Sequence, residues 1–526
     1  MRRRGYLALV LHAHLPFVRH PEHAHQLEEH WLFQAITESY LPLLAVLREA
    51  AERGSGFRLT LSLSPTLMAM LSDPLLRARY RQYLERLEAL CEAEMDRRAG
   101  DPVRLHLACW YHRRLLRLRD LYLDGLRGDL IAAWSQLADA GLVELMTTAA
   151  THGYLPLLRS APAAVRAQLR VALDYVEGVL GRAPAGLWLP ECGYFPGLER
   201  EVRDAGFRWF VLDAHGLQGA RPAPDLGVFA PVSASQMAVF GRDPESAREI
   251  WDRRQGYPGH PLYREYYRDL GFEADADSLR AFFPPGVTAA PTGIKYHRVT
   301  GETENKAYYQ PQAALAQADR DAARFLERRR ERVERLDGAA RPPLLVAPFD
   351  AELFGHWWFE GPAFLDALIR RMDAGEGPQP VTLGGYLRRE GTAGQAEPAA
   401  SSWGEHGYNG AWLRPATGWV HLRLHQAAEE LTSLVRRYDP PTGDEGVGRL
   451  LRQAARSLLL AQSSDWTFHL ERGGAADYAQ ARLRDLLARF RFLADALRSR
   501  QVEERRLSAL ERMDNLFPAL DLSHFA

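Results

Sequence analysis

The sequence predicts an α/β protein whose core is a repeated β–α unit, extended by two blocks of helix. Three observations predict it. Short apolar runs, each closing on a polar or turn residue, recur between Gly5 and Asp350. Helical periodicity fills the chain between several of them. Two further stretches carry helical period with little strand signal.

The run Gly5 to Leu11 is continuous and apolar, as a strand buried on both faces of a parallel sheet must be. Phe57 to Leu63 follows the same plan and ends at Ser64-Pro65, and Leu142 to Met146 leads to His152. Gly186 to Leu189 ends at Pro190-Glu191, Phe207 to Leu212 at Asp213, Met237 to Phe240 at Arg242-Asp243, and Leu344 to Ala347 at Asp350. Gln34 to Arg53 and Ala163 to Leu180 read as intervening helices. Residues 75–140 are Leu- and Arg-rich with helical period and read as an insertion, whereas residues 241–283 crowd Arg, Tyr, Pro and Gly without clean periodicity and read as a lid-like segment. Glu390 to Ser401 is Ala- and Gly-rich and reads as a linker. In the tail, Leu483, Leu486, Leu487, Phe490, Leu493, Ala494 and Leu497 form an amphipathic stripe. The expected organisation is a catalytic domain over residues 1–400, interrupted by the insertion and the lid-like segment, and a helical domain over 401–526 that helps to wall the substrate cleft.

The 526 residues carry 66 Lys and Arg against 67 Asp and Glu, a net charge of -1, so no global field attracts nucleic acid or an anionic membrane. A neutral substrate is expected, with no nucleic-acid or membrane partner. The three cysteines, Cys91, Cys109 and Cys192, have no metal-ligand spacing, which points to a reducing, cytoplasmic compartment. The basic start Met1-Arg-Arg-Arg imitates a signal sequence, but its apolar run stops at His12 without a small-residue cleavage site. No apolar stretch approaches the roughly 20 residues of a membrane helix. A monomer is expected.

In a parallel barrel, chemistry sits at the C-terminal ends of the strands, where these polar residues fall. His12-Ala13-His14 could ligate a metal with further partners or bond a polar ligand; with no metal-site quartet in the sequence, no metal and no cofactor are expected. His20, His23, His25 and His30 beside Trp31 read as a solvated loop. Thr151-His152-Gly153-Tyr154 offers an imidazole and a phenol, or turn chemistry alone. Trp188-Leu-Pro-Glu191 sets a carboxylate directly after a strand. The stretch from Ala347 through Asp350 and Glu352 to His356-Trp357-Trp358 combines carboxylates, an imidazole and indoles. Two carboxylates facing across a cleft are what glycosidic cleavage requires, and aromatic faces support sugar rings, although core packing also explains adjacent tryptophans. Ser401-Ser-Trp403 through Trp412 reads as another cleft wall, and Asp465-Trp466 as a helix end or a further reach into the cleft.

Five of these blocks, in this order, resemble the motif regions of glycoside hydrolase family 57: His12-Ala-His14-Leu-Pro16, His152-Gly-Tyr154-Leu-Pro156, Trp188-Leu-Pro-Glu191-Cys-Gly-Tyr194, Ala347 to Trp358, and Ser402-Trp403-Gly404. The resemblance implies a distorted (β/α)7 barrel with a helical insertion and an α-helical C-terminal domain. It implies a retaining double displacement with Glu191 as nucleophile and Asp350 as general acid/base. Substrate binding by similarity falls to His12, His14, His152, Tyr154, Arg254, Gly271, His356, Trp357, Trp403, Trp412 and Asp465. The implied substrate is an α-glucan, amylose or glycogen-like, and the implied activity transfers an α-1,4-linked chain to a 6-hydroxyl, forming an α-1,6 branch. 4-α-Glucanotransfer and hydrolysis use the same carboxylates and remain alternatives, as do a metal-dependent hydrolase built on His12, His14 and His152 and a glycan-binding protein without catalysis.

Overall fold

In the computed structural model, which describes residues 5–252, 256–280, 282–283, 286–336, 341–438, 445–472 and 474–526, the apolar runs become strands of one sheet. They are β1 (Tyr6–Ala13), β2 (Leu59–Leu63), β3 (Val143–Thr148), β4 (Gly186–Trp188), β5 (Trp209–Leu212), β6 (Val232–Ala234), β7 (Met237–Gly241), β8 (Leu344–Asp350) and β9 (Gln379–Pro380). The order is β6-β7-β5-β4-β3-β2-β1-β8, with β9 also on β1; β6 pairs antiparallel with β7, and the remaining pairs are parallel. The parallel strands β1, β2, β3, β4, β5, β7 and β8 are the seven of a (β/α)7 barrel. Asp243 N donates to Val346 O at 2.8 Å, joining the chain just after β7 to β8 across the remaining seam.

Every residue of β1 is buried, because both faces of the sheet are covered. Side chains alternate between the faces with period two. Tyr6, Ala8 and Val10 cluster with Met146, Trp188, Val211, Phe240 and Val346 inside the barrel, while Leu7, Leu9 and Leu11 belong to the larger cluster beneath the helices. The inward parity of β1, β7 and β8, continued to their ends, reaches His12, Arg242 and Asp350. β1 runs two residues beyond the expected Leu11, and its register sets His12 between Ser62 and Asp350.

Between β2 and β3 lie helices Pro74–Arg97, Pro102–Asp120 and Leu130–Asp139. Asp73, Asp101 and Asp129 cap their N-termini by accepting backbone N–H bonds, and proline follows the first two caps, where its missing N–H costs nothing. The C-terminal region is a helical bundle that includes Gly418–Tyr438, Glu445–Ala461, Ser464–Arg472 and Ala476–Ser499, with the predicted stripe from Leu483 to Leu497 buried. Among the described residues no helix is long and apolar enough to cross a membrane.

Two expectations change. Residues 390–401 are no free linker: Arg221 and Glu397 exchange backbone hydrogen bonds of 3.0 and 2.8 Å, and Tyr194 and Ser401 bonds of 2.8 and 3.2 Å, so the segment is strapped along the barrel. Nor is the first histidine cluster simply solvated. His20 and His30 are buried, and His20 Nε2 lies 2.7 Å from the Tyr478 hydroxyl.

Candidate active site

Glu191 follows β4 in the left-handed region, at φ 60°, and Cys192 beside it at φ 51°. A non-glycine residue held there costs on the order of 1–3 kcal/mol and persists only where its surroundings enforce it. Trp403 supplies the enforcement. Its backbone N donates to Glu191 O at 3.0 Å, and its indole Nε1 donates to Glu191 Oε2 at 2.7 Å. The other carboxylate oxygen, Oε1, accepts from the Ser464 hydroxyl at 2.8 Å. Burial raises the Glu191 carboxyl above its usual range, and these two donors oppose that rise by stabilising the ionised form.

Asp350 ends β8. Burial, then the neighbouring carboxylates Glu352 and Glu191, push its carboxyl well above the ordinary range. Glu191 and Asp350 are thus coupled, and their environments differ in the sense that separates a nucleophile from an acid: donors converge on Glu191, negative charge on Asp350. Glu352 is itself pushed up to about 7 by burial, and it accepts from the Tyr40 hydroxyl and from His14 N at 3.2 Å.

Behind Glu191 runs a buried hydrogen-bond relay whose direction follows from donor and acceptor counts. An ionised Glu191 only accepts. Ser464 therefore donates to it and accepts from His152 Nδ1, 2.9 Å away. Burial holds the pKa of His152 and of His12 well below the usual histidine value, so both rings are neutral and each has one donor nitrogen. His152 Nε2 then accepts from His12 Nε2 at 3.0 Å, and His12 Nδ1 accepts from the Ser62 hydroxyl at 3.0 Å. Every proton of the relay points toward Glu191.

His14 Nε2 meets Asp465 Oδ2 at 3.0 Å, and the His14 and His152 rings stack with centroids 3.9 Å apart. Burial would raise the Asp465 carboxyl, but the His14 imidazole holds it below the usual range. Ligand atoms of His14, His152 and Asp465 all lie within 4.8 Å of one another. A zinc ion among them would sit about 2.0–2.2 Å from each ligand. Both His152 nitrogens are already engaged in the relay, so the trio fits a hydrogen-bonded cluster better than a metal centre. His14 Nδ1 is buried without a partner among the described residues, leaving one polar group free at the cleft.

The remaining predicted residues divide. Trp357 is exposed by 53% and stacks on Tyr266 at 4.6 Å, offering a ring face, while its neighbour Trp358 is buried in the core. His356 Nδ1 lies 2.6 Å from Glu38 Oε2 and its Nε2 lies 3.4 Å from the Tyr266 hydroxyl, so it braces that wall. Four residues expected to contact sugar are bonded or packed within the protein. His12 and His152 have both nitrogens occupied within the protein. Tyr154 is buried, donates to Asn409 Oδ1 at 2.8 Å and is covered by the buried ring of Trp412 at 4.3 Å; both support the wall from behind. Gly271 is also buried, and a Cβ there would lie 1.8 Å from Ala290 O, so it permits close packing, and its neighbour Phe272 carries the exposed ring. Arg254 lies outside the described residues.

Ser62, Ser464, Asp213, Arg242 and Tyr40 were not picked out as site residues from sequence. Arg242 Nη1 pairs with Asp213 Oδ2 at 3.0 Å and its guanidinium lies 5.7 Å from the Trp403 ring centre. Asp213 and Arg242 share one signal, a polar residue just after a strand, and Ser62 lies next to the end of another, whereas Tyr40 sits in a helical run without such a signal. Ser464 stands beside Asp465 where Ser463-Ser464 breaks a helical stretch.

Residues 8–376 match the family model described as Glycosyl hydrolase family 57, and residues 423–525 match one described as 1,4-alpha-glucan branching enzyme, C-terminal. A probable 1,4-alpha-glucan branching enzyme of Mycobacterium tuberculosis is 31% identical over 98% of this chain and 97% of its own. Among solved structures, an alpha-amylase of Thermotoga maritima superposes with a TM-score of 0.93 at 35% identity, covering 100% of this chain and 99% of that one. A branching enzyme of Pyrococcus horikoshii superposes with a TM-score of 0.89 at 32% identity, covering 99% and 96%. With a match of this extent across the barrel that carries Glu191 and Asp350, the chain belongs to glycosyl hydrolase family 57.

Proposed function

We propose that this protein is a 1,4-α-glucan branching enzyme that works by a retaining double displacement. The observation that carries the reading is the C-terminal region: residues 423–525 match the branching-enzyme C-terminal family, and Ser464, the first residue of its helix Ser464–Arg472, donates to Glu191. Glu191 attacks the anomeric carbon of a bound α-1,4 bond while the Asp350 carboxyl protonates the departing glycosidic oxygen. The reducing-end fragment leaves and a glycosyl ester of Glu191 remains. Asp350, now a carboxylate, takes the proton from an acceptor 6-hydroxyl, whose oxygen attacks the anomeric carbon and releases Glu191. Two inversions preserve the α configuration.

Substrate positioning in this reading falls to His14, Asp465, Trp357 and the exposed aromatic residues of segment 241–283, which also excludes water so that a sugar hydroxyl wins the second step. The product serves glycogen-type storage in the cytoplasm, with the enzyme acting as a monomer on a neutral α-glucan. One observation favours a second reading, hydrolysis: the Thermotoga maritima structure, which superposes with a TM-score of 0.93, is described as an alpha-amylase. Incubation with amylose separates the two. Branching yields new α-1,6 linkages, seen by debranching and chain profiling, with few new reducing ends; reducing ends without branches would replace this proposal by hydrolysis.

A further inference from the structure

Helices Gly418–Tyr438 and Ala476–Ser499 pack side by side and leave a groove on their outer surface. Two cavities of about 480 and 280 Å³ run along it and share Arg423, Leu487 and Arg491. On one helix Trp419, Arg423 and Glu430 stand at i, i+4 and i+11, one face extending about 16 Å. On the other, Gln480, Arg484 and Arg491 repeat that spacing.

The chemistry of this groove is that of a polyol site. Trp419, 37% exposed, presents an aromatic face at one end, and Leu487 adds apolar surface. Among the described residues the side chains of Arg423, Arg484 and Arg491 make no ion pair or hydrogen bond, unlike that of Arg498, which pairs with Glu430 at 2.6 Å and Asp495 at 3.0 Å. Planar guanidinium forks present paired donors that match adjacent hydroxyls. The carboxylates Glu430 and Asp495 line the same groove and offer acceptors. Hydroxyl groups use both kinds of partner, since each can accept from a guanidinium and donate to a carboxylate.

The groove is also joined to the cleft wall. His421, two residues after Trp419, has its Nε2 2.9 Å from Trp412 O, and Trp412 backs Tyr154. We propose that this groove is a second α-glucan binding site, outside the catalytic cleft, which holds a distant stretch of the polymer while its donor or acceptor end occupies the cleft. The inference rests on an α-glucan being the substrate.

The test measures binding and turnover separately. Native electrophoresis through gels containing glycogen gives the dissociation constant for the polymer, and the short chain maltoheptaose gives kcat/KM at the cleft. Trp419→Ala and the double variant Arg484→Ala/Arg491→Ala are each expected to raise the glycogen constant about threefold to tenfold, the range set by one lost aromatic platform, with maltoheptaose turnover unchanged. Should Trp419→Ala fail to fold, the arginine variant alone decides, since it replaces surface side chains. Unchanged glycogen binding in a folded variant would overturn the site. So would an equal loss on maltoheptaose, or residue-dependent retardation by dextran sulfate that exceeds retardation by glycogen and fades with salt, which would assign the groove to a polyanion. Branch formation by the wild type is read in parallel, so a failure of the proposed activity is distinguishable from a failure of the groove.

Discussion

Replacing Trp403 with phenylalanine removes one proton donor from Glu191 and little else. The ring remains to pack against Trp188 and Trp251, whose centroids lie 5.2 and 6.1 Å from it, and the backbone bond from residue 403 to Glu191 O is untouched. What is lost is the 2.7 Å indole bond to Oε2. A hydrogen bond to a charged group contributes about 1.5–3 kcal/mol, and one pKa unit corresponds to about 1.4 kcal/mol, so the Glu191 carboxyl should rise by about 1–2 units. The nucleophile must be ionised in the free enzyme, so the acidic limb of kcat/KM moves toward higher pH by that amount. Because Glu191 and Asp350 titrate as a pair, the shift is read as that of the lower macroscopic limb. Above the limb, kcat/KM should recover to near the wild-type value. The assay is initial rate on amylose against pH, with circular dichroism to confirm the fold. An unmoved acidic limb, or one constant fractional loss at every pH, would refute the reasoning and reduce Trp403 to a packing residue.

Three further outcomes follow from the same geometry. Ser464→Ala removes the second direct donor and should move the acidic limb upward by a similar amount, while Ser62→Ala, which only fixes the His12 tautomer, should move it in the same direction by less; a Ser62→Ala profile identical to wild type would break the relay. Asp350→Asn should cost about 10²–10⁴ in turnover yet stabilise the fold at neutral pH. The carboxyl has a raised pKa in the folded protein, so its destabilising effect is absent below the unfolded value near 3.9 and grows as pH rises above it, by about 1.4 kcal/mol per unit up to the folded value. A melting temperature unchanged at neutral pH would contradict the burial of that charge. Finally, prolonged dialysis against a chelator should leave activity on amylose intact, since His14, His152 and Asp465 hold one another; loss of activity restored by zinc would reinstate the metal-dependent reading.

The core strands and their order of appearance were legible because a strand covered on both faces must be apolar throughout, and Tyr6 to Leu11 or Leu344 to Ala347 leave little else to read. Helix starts rest on equally local chemistry, although the helical period alone did not mark them: Asp73-Pro74 and Asp101-Pro102 supply cap and first-turn residue within two positions. The residues 390–401 misled for the opposite reason. Small residues there suggest flexibility, whereas backbone bonds to Tyr194 and Arg221, far away in sequence, fix the segment.

By itself the sequence determined the repeated β–α core and the carboxylates at strand ends and, through the resemblance of its motifs, the family and the barrel that goes with it, since the motifs are residue types at fixed local spacing. Only the tertiary structure decided which side chains face the sugar and which stand behind. His12 and His14 are indistinguishable two residues apart in the chain, yet the register beside Ser62 turns His12 into a relay member, while His14 Nδ1 has no partner among the described residues. Trp357 and Trp358 are adjacent, and backbone direction sends one to solvent and the other to the core. Ser464 is an ordinary serine until a helix more than 270 residues from Glu191 in sequence is packed against it, bringing the hydroxyl to 2.8 Å. Hydrogen-bond partners across such separations are set by packing, which no local pattern encodes.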